Sequence, residues 1–413
     1  LSEQHVLNYA PPPGQHPARR DAVYAMCAGF LGWTLDAFDF FLVVIAAPDI
    51  AKTLGCVPLK VTYSITLTLM FRPLGAFLFG LMADRWGRRW PMIINLIFYS
   101  TVEVATGFSH SLGTFLVLRA LFGIGMGGEW GVGASLVMEK VPARFRGVLS
   151  GVLQEGYAFG FLLAAVAAHF ILPVHGWRPL FFLGGAPALL ALFVRFGISE
   201  SEVWKKNKSD SWSHLGRALR QHWKLWIYLT LLMAMMNFAS HGTQDNYPLF
   251  LKTDHHIESQ RYTNVVVVSM LGAIAGGVLF GLASDRLGRR RAINIAFIGA
   301  LCAIPFWAFS STLVTLAMGA FLMQFMVQGA WGVIPAHINE LAPDTVRGFL
   351  PGFSYQCGNL IAASIASVQA RLALQSSYQH ALSATVFLIF LIAIVVNSLG
   401  WERKGIAFGE STE

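Results

Sequence analysis

Apolar residues in this chain run in blocks too long for an ordinary water-soluble core. Twelve runs lie near residues 22–47, 61–83, 90–108, 113–138, 148–172, 178–197, 225–251, 262–284, 292–310, 313–339, 349–372 and 380–400. Each approaches or exceeds the ~20 residues that a helix needs to cross a ~30 Å hydrocarbon layer. One polar stretch, Ser199 to Lys224, divides the runs six and six. Basic residues gather at Arg19/Arg20, Arg85/Arg88/Arg89, Arg144/Arg146, the central stretch, Arg286/Arg289/Arg290/Arg291, Arg347 and Arg403/Lys404. They fall at every second connection, which places both ends and the central stretch in the cytoplasm. The expected fold is an all-α membrane protein with twelve transmembrane helices in two pseudo-symmetric six-helix bundles. Its parts are a cytoplasmic tail 1–20, a first bundle 21–198, a cytoplasmic loop 199–224, a second bundle 225–402 and a cytoplasmic tail 403–413.

The halves repeat in one register. Gly80-Leu81-Met82-Ala83-Asp84-Arg85-Trp86-Gly87-Arg88-Arg89 returns as Gly281-Leu282-Ala283-Ser284-Asp285-Arg286-Leu287-Gly288-Arg289-Arg290, an offset of 201 residues. Trp130-Gly131-Val132 returns as Trp331-Gly332-Val333 at the same offset, and Glu139, Pro142, Arg146 and Gly147 return as Glu340, Pro343, Arg347 and Gly348. Six is even, so the two copies point the same way through the membrane. Anchoring inside the cell explains the arginines but neither the paired aspartates nor the glycines. Asp84, Arg88, Glu139 and Arg146, with Asp285, Arg289, Glu340 and Arg347 as the second copy, are expected to form a cytoplasmic gate that must break for the inside to open.

Polar residues inside the apolar runs are the candidate chemistry. Asn237, Ser240, His241 and Gln244 share one helix face at ~100° per residue, with Asp245 at its edge. Such a stripe cannot face hydrocarbon, so it faces other helices or a wet cavity. It is either helix–helix glue or a functional site, and its His and Asp favour the second. The repeat offset maps Asn237 and Ser240 onto Asp36 and Asp39, which should then face the stripe across a central cavity. Counting ~1.5 Å per residue puts Arg72 ~18 Å from Asp84, near the midplane, and Arg119 ~30 Å from Glu139, near the outer surface. The same count from the basic motifs brings Asn359 to the midplane, Gln356 just below it, and Gln154 and Glu155 into the inner half. A midplane arginine needs an anion or a carboxylate partner. Arg72 is therefore either a clamp for an anionic substrate or a standing partner of Asp36, Asp39 or Glu155. Glu129 is open to a structural or a functional reading, and Glu103 has no evident role.

Composition narrows the class further. Charged residues are only 13% of the chain, hydrophobic residues 55%, and the mean hydropathy is +0.55. The net charge of +8 comes from clusters between spans, which speaks for membrane orientation and not for nucleic acid. Leu1 to Arg20 is polar and proline-rich, without the form of a signal peptide. Cys27, Cys56, Cys302 and Cys357 have no metal or disulfide spacing. Gly123-Ile124-Gly125-Met126-Gly127-Gly128 fits a dinucleotide fingerprint, but it follows no strand and lies inside an apolar helix. Asn207-Lys208-Ser209 fits a glycosylation sequon in a cytoplasmic loop, where it would not be used. His110, His255 and His256 fall in external loops. No catalytic triad, phosphate loop or metal cluster appears, so the chain is not expected to be an enzyme or to carry a cofactor.

The doubled charged motif resembles the major facilitator superfamily over the whole chain. Gly32-Trp33-Thr34-Leu35-Asp36-Ala37-Phe38-Asp39-Phe40-Phe41 with Leu69-Met70-Phe71-Arg72 looks like its sialate:proton symporter family. Asn237-x-x-Ser240-His241-x-x-Gln244-Asp245 is similar to the helix-seven signature of the fungal lactate/pyruvate:proton symporters, with Leu249 at that signature's final Thr. The resemblance implies transport of a small monocarboxylate with a proton by alternating access, by a monomer in the plasma (inner) membrane. It implies substrate contacts at Arg72, Asn237, His241, Tyr355, Gln356 and Asn359, with Gln154 at the specificity position of helix five. Protons would be exchanged at Asp36, Asp39, His241, Asp245 or Glu155; His241 and Asp245, at i and i+4, can share one. The competing expectations are symport of a larger acid, sialate or aromatic, and a sensor that keeps the fold without transporting.

Overall fold

The computed structural model describes residues 19–207, 212–257 and 259–409, which are helical almost throughout. Of the tail 1–20 only the last two residues are among them, and Lys208 and Ser209 of the sequon lie outside. Helices α1 (Arg19–Thr53), α2 (Pro58–Trp86), α3 (Arg89–Gly107) and α4 (Leu112–Lys140) are continuous. Helix α5 comes in two pieces, Arg146–Gln154 and Gly156–His175, as does α6, Arg178–Leu183 and Pro187–Gly197. Two short helices, Glu202–Lys206 and Trp212–Gln221, occupy the polar stretch. Then follow α7 (Trp223–Gln244 and Tyr247–Thr253), α8 (Ser259–Leu287), α9 (Arg289–Ala308), α10 (Leu313–Leu341), α11 (Leu350–Ala362 and Ile365–Ala373) and α12 (Tyr378–Leu399). Eight of these helices are long and apolar enough to cross a membrane as they stand. The other crossings are α3, which carries Asn95 and Glu103, and the broken α6, α7 and α11. The twelve expected apolar runs correspond to these twelve helices, whole or broken, among the described residues.

The breaks have local causes. Pro248 has no N–H to give to the Gln244 carbonyl, so the first piece of α7 stops just before it. Helix α5 breaks at a single residue, Glu155, between its two pieces. The ends repeat as the sequence does. Ser111 Oγ accepts from the Thr114 amide at 3.2 Å, and Thr312 Oγ1 from the Thr315 amide at 3.2 Å, the same N-cap 201 residues apart. Gly87 and Gly288, with φ of 97° and 95°, turn α2 into α3 and α8 into α9 through a conformation that favours glycine.

The halves meet at the end that carries the basic clusters, here called the basic end. There the first piece of α5 packs on α8 and α10, and the first piece of α11 packs on α2 and α4. The seam is backbone on backbone: a Cβ on Gly131 would lie 2.6 Å from Gly352 Cα, and one on Gly352 would lie 2.8 Å from Gly131 Cα. Ser150 Oγ accepts from the Ala336 amide across the same seam at 3.0 Å. Large apolar side chains on the outside, such as Phe170 (69% exposed) and Leu189 (70%), suit lipid rather than water. If glycine contact holds the seam, Gly131→Val should push it apart without unfolding the bundles. A cysteine placed by Ser150→Cys should then react several-fold faster with a membrane-impermeant thiol reagent applied from the basic side. Unchanged reactivity would mean that close approach at Gly131 does not hold the halves together.

Candidate functional site

The stripe on α7 divides its labour. Ser240 accepts from Gln328 Nε2 at 3.1 Å, Gln244 donates to Gln324 Oε1 at 2.7 Å, and Gln324 Nε2 donates to Thr243 Oγ1 at 3.1 Å. That edge ties α7 to α10. Asn237 is buried and turns its amide back to the Met233 carbonyl at 2.8 Å, within its own helix. The other edge is chemical. His241 Nδ1 lies 3.1 Å from Asp245 Oδ2, while its Nε2 lies 3.2 Å from Asn359 Oδ1 on α11. An imidazolium donates from both nitrogens and suits both acceptors, whereas a neutral ring needs the Asn359 amide turned over. The His241 and Asp245 side chains remain 30% and 40% exposed, so water reaches this pair.

Arg72 stands opposite, on α2, and is 4% exposed. Its guanidinium carbon sits 5.6 Å over the ring of Tyr355 from the second bundle. Its Nε and Nη2 are buried without a hydrogen-bond partner, and among the described residues no carboxylate pairs with it within 4.0 Å. The standing pair offered as an alternative is therefore absent here. Nε and Nη2 form the side-on edge of the guanidinium, the edge that grips a carboxylate through two parallel bonds. Beneath it Tyr355 packs against Trp130 at 4.6 Å and Trp331 at 5.6 Å, the two repeat-related tryptophans. Trp130 Nε1 donates to Gln154 Oε1 at 3.3 Å, which ties Gln154 to the wall of this aromatic floor. Gln356 is 1% exposed with both amide atoms unpartnered. Glu155, 4% exposed, has its carboxylate against Gly277 of α8, on the seam between the halves.

Asp36 and Asp39 were expected to face the stripe across a cavity, and here the structure corrects the reading. Both are fully enclosed in the first bundle, and none of their four carboxylate oxygens has a partner. Asp39 lies beside Gly184 and Glu103, because the break in α6 leaves a notch there with no side chain. Glu103 itself pairs with Arg119, which also donates to Thr106 Oγ1 at 2.9 Å. Arg119, placed by counting near the outer surface, is 1% exposed within the bundle. Depth along a helix can be counted from sequence, but the direction a side chain points depends on neighbours that counting does not see.

The gate residues assemble at the basic end, with one exchange. Arg88 donates to Asp84 at 2.7 Å and to Glu139 at 2.9 Å; Arg289 donates to Asp285 at 2.8 Å and to Glu340 at 2.9 Å. Each aspartate also caps the other half: Asp84 accepts from the Gly348 and Phe349 amides at 2.7 and 3.0 Å, and Asp285 from the Gly147 and Val148 amides at 2.8 and 3.0 Å. Arg146 and Arg347 do not stay within their own copies as grouped from sequence. Arg146 lies 3.7 Å from Glu340 and Arg347 lies 3.8 Å from Glu139, because Arg146 opens α5 and Arg347 lies just ahead of α11, the two helices that line the seam.

A strap missed by sequence reading completes this latch. After α12 the chain folds back under the bundles. Glu402 accepts from the Arg289 and Arg290 amides at 3.1 and 2.9 Å, and the Ile406 carbonyl accepts from Arg146 Nη1 at 2.7 Å. Arg146 and Arg347 then share the ring of Phe408, at 3.6 and 3.8 Å from its centroid. The apolar run Ile406-Ala407-Phe408 in a short polar tail was the available signal. Gln324 and Gln328 were also missed; their signal was an i, i+4 polar pair inside an apolar run.

Comparison with known proteins identifies the family and the fold. The pattern described as Major Facilitator Superfamily matches residues 29–258, and that described as Sugar (and other) transporter matches residues 226–401. The chain is 30% identical over 372 residues to a carboxylic acid transporter protein homolog of Saccharomyces cerevisiae, covering 84% of this chain and 60% of that one. It thus spans about 60% of that relative's length. It is 26% identical to the sialic acid transporter NanX of Escherichia coli, over 94% of this chain and 96% of the other. Among solved structures, the proton:xylose symporter XylE superposes with a TM-score of 0.76 at 16% identity, over 94% of this chain and 98% of that one.

The strap makes a prediction of its own. Losing two cation–π contacts removes roughly 0.5–2 kcal/mol each, so Phe408→Ala should open the basic end more often and speed modification of the Ser150→Cys reporter. Phe408→Trp should restore the slow rate. A reporter indifferent to Phe408 would mean that the tail rests on the latch without holding it.

Proposed function

The chain belongs to the major facilitator superfamily and is an integral membrane transporter, not an enzyme; we propose that it carries a small monocarboxylate, such as lactate or pyruvate, together with a proton by alternating access. The observation that carries this reading is the buried, unpaired side-on edge of Arg72, between the two bundles and facing Tyr355 of the second. A buried cation without an anion is costly, and a carboxylate from solution answers it with two charge-assisted bonds. The naming of the yeast relative for carboxylic acids supports the same chemistry. In this reading the basic end and both chain ends face the cytoplasm of the plasma (inner) membrane, and the structure faces outward. One chain supplies both walls of the site, so it works as a monomer.

The proposed cycle follows from charge. The carboxylate settles on Arg72 over Tyr355, while Asn359, Asn237 and Gln356 orient its hydroxyl or keto oxygen. A proton held by His241 and Asp245, or inside the first bundle, leaves the loaded site without net unpaired charge. Closure is then favoured, because an unpaired charge opposes removal of water from the chamber. The latch parts, and substrate and proton leave on the cytoplasmic side. No ion other than the proton and no cofactor is required.

A second reading is favoured by one feature. The Tyr355–Trp130–Trp331 floor offers flat aromatic faces beside Arg72. Such faces suit a planar or larger acid, aromatic or sialate, better than a three-carbon one.

In proteoliposomes, uptake of labelled L-lactate should rise with an inward proton gradient. Arg72→Ala should abolish it, and Arg72→Lys, which keeps the charge but loses the fork, should cut it by about tenfold or more. His241→Ala should exchange substrate but fail to concentrate it. Full transport by Arg72→Ala would remove the clamp. Stronger competition by benzoate or sialate than by pyruvate would decide for the second reading.

A further inference from the structure

Among the buried acids without a named step in this cycle, one stands out by its surroundings. Glu129, on α4, is 1% exposed. Its Oε2 accepts from Asn95 Nδ2 of α3 at 3.3 Å, while its Oε1 has no partner. It fits a notch on α1, since a Cβ on Gly32 would lie 2.1 Å from Oε1. Asp36 is one turn along α1 from Gly32, toward the outer end. The carboxylates of Asp39, Asp36 and Glu129 thus descend through the first bundle toward the basic end. Tyr99 lies one turn along α3 from Asn95, on the same helix face. The Tyr99 hydroxyl is fully buried without a partner.

Below Glu129 the packing leaves a small internal cavity with room for about one water. Gly29, Trp33, Glu129, Trp130, Gly133 and Leu153 border it. Trp33 is 2% exposed, and its indole Nε1 is another buried donor without a partner. Glu129, with its unmet acceptor, borders this void, and the residue Trp33 beside it keeps an unmet donor; a single water there would lie against the carboxylate and can carry its proton. The groups facing Glu129 are Asn95 and Tyr99 from α3, and Asp36, Trp33 and Gly32 from α1. Arg72 of α2 is the cation within reach of Asp36, and Arg119 the one within reach of Asp39. No cation pairs with Glu129 among the described residues.

We propose that Glu129 is the inner station of the coupled proton, taking it from Asp36 and passing it through the Trp33 cavity toward the basic end. The step moves one proton: the O–H of the Asp36 carboxylic acid breaks as an O–H forms on Glu129, and the proton then leaves Glu129 for water, which carries it out as hydronium. Asp36 and Glu129 are each left as carboxylates, and Arg72 and Arg119 offset the charge of the emptied ladder while the transporter returns. Tyr99 and Asn95 act as positioning residues. This rests on the symport reading and assigns it a proton route inside one bundle, which meets the substrate chamber only at Arg72.

The test separates coupling from exchange in the reconstituted full chain. Glu129→Gln keeps the shape and the Asn95 contact but cannot carry a proton. It should exchange labelled for unlabelled L-lactate within about twofold of the parent, yet no longer accumulate it under a proton gradient. Its exchange should also lose its dependence on pH, and Glu129→Asp should recover part of the accumulation. Trp33→Phe, which removes only the indole donor, should slow proton-driven uptake while sparing exchange, and it decides the matter should Glu129→Gln fail to fold. Undiminished accumulation by Glu129→Gln, or by Trp33→Phe in that case, overturns the proposal. If the parent protein itself shows no proton-driven accumulation, the symport reading fails instead.

Discussion

A guanidinium buried between two bundles with its Nε and Nη2 donors idle is the constraint on which the rest of this molecule turns. Arg72 cannot be placed at that depth by hydrophobic packing, which opposes it. It is held there because α2 and α4 are in backbone contact: a Cβ on Gly127 would strike the Arg72 carbonyl. The helix cannot rotate the charge away to water without losing that contact. The idle Nε–Nη2 edge is therefore a standing demand for an anion, and the chamber, the aromatic floor and the water-reached His241–Asp245 pair are arranged around it.

Symmetry separates the part of the chain that moves from the part that chooses. The latch is two-fold in nearly every detail, with Asp84 and Asp285 capping opposite halves and Arg146 and Arg347 crossing over to Glu340 and Glu139. At the midplane the symmetry is gone. Arg72 has Ala273 as its counterpart, Gln154 has Tyr355, and Glu155 has Gln356. A duplicated scaffold can rock about its seam with balanced contacts on either side, while the single copy of each recognition group gives the substrate one orientation.

Much of this was legible in the sequence because the membrane makes simple demands. Twelve apolar runs, a constant offset and alternating basic connections sufficed for the fold, since lipid enforces helix length and charge placement directly. The depth of Arg72 and the pairing of His241 with Asp245 followed from rise and turn per residue. What could not be read depended on contacts between distant segments. That Asp36 and Asp39 are enclosed rather than facing the stripe follows from how α1 sits against α3 and α6. The crossing of Arg146 and Arg347 follows from where the seam runs. The bonds of Gln324 and Gln328 to α7 needed the rotation of α10, which no periodicity supplied. The strap escaped because its grip uses backbone carbonyls and a single ring, neither of which marks a sequence.

That strap ties the speed of the molecule to a piece of chain belonging to neither bundle. Residues 402–409 leave α12 in the second half and reach Arg146 in the first. Parting the latch therefore requires the segment to peel from its seat, and closing it again requires the ring to find its way back. A load fastened to that segment, whether a fused domain or a bulky label, would be dragged through each swing and would act as a brake far from any point where substrate binds.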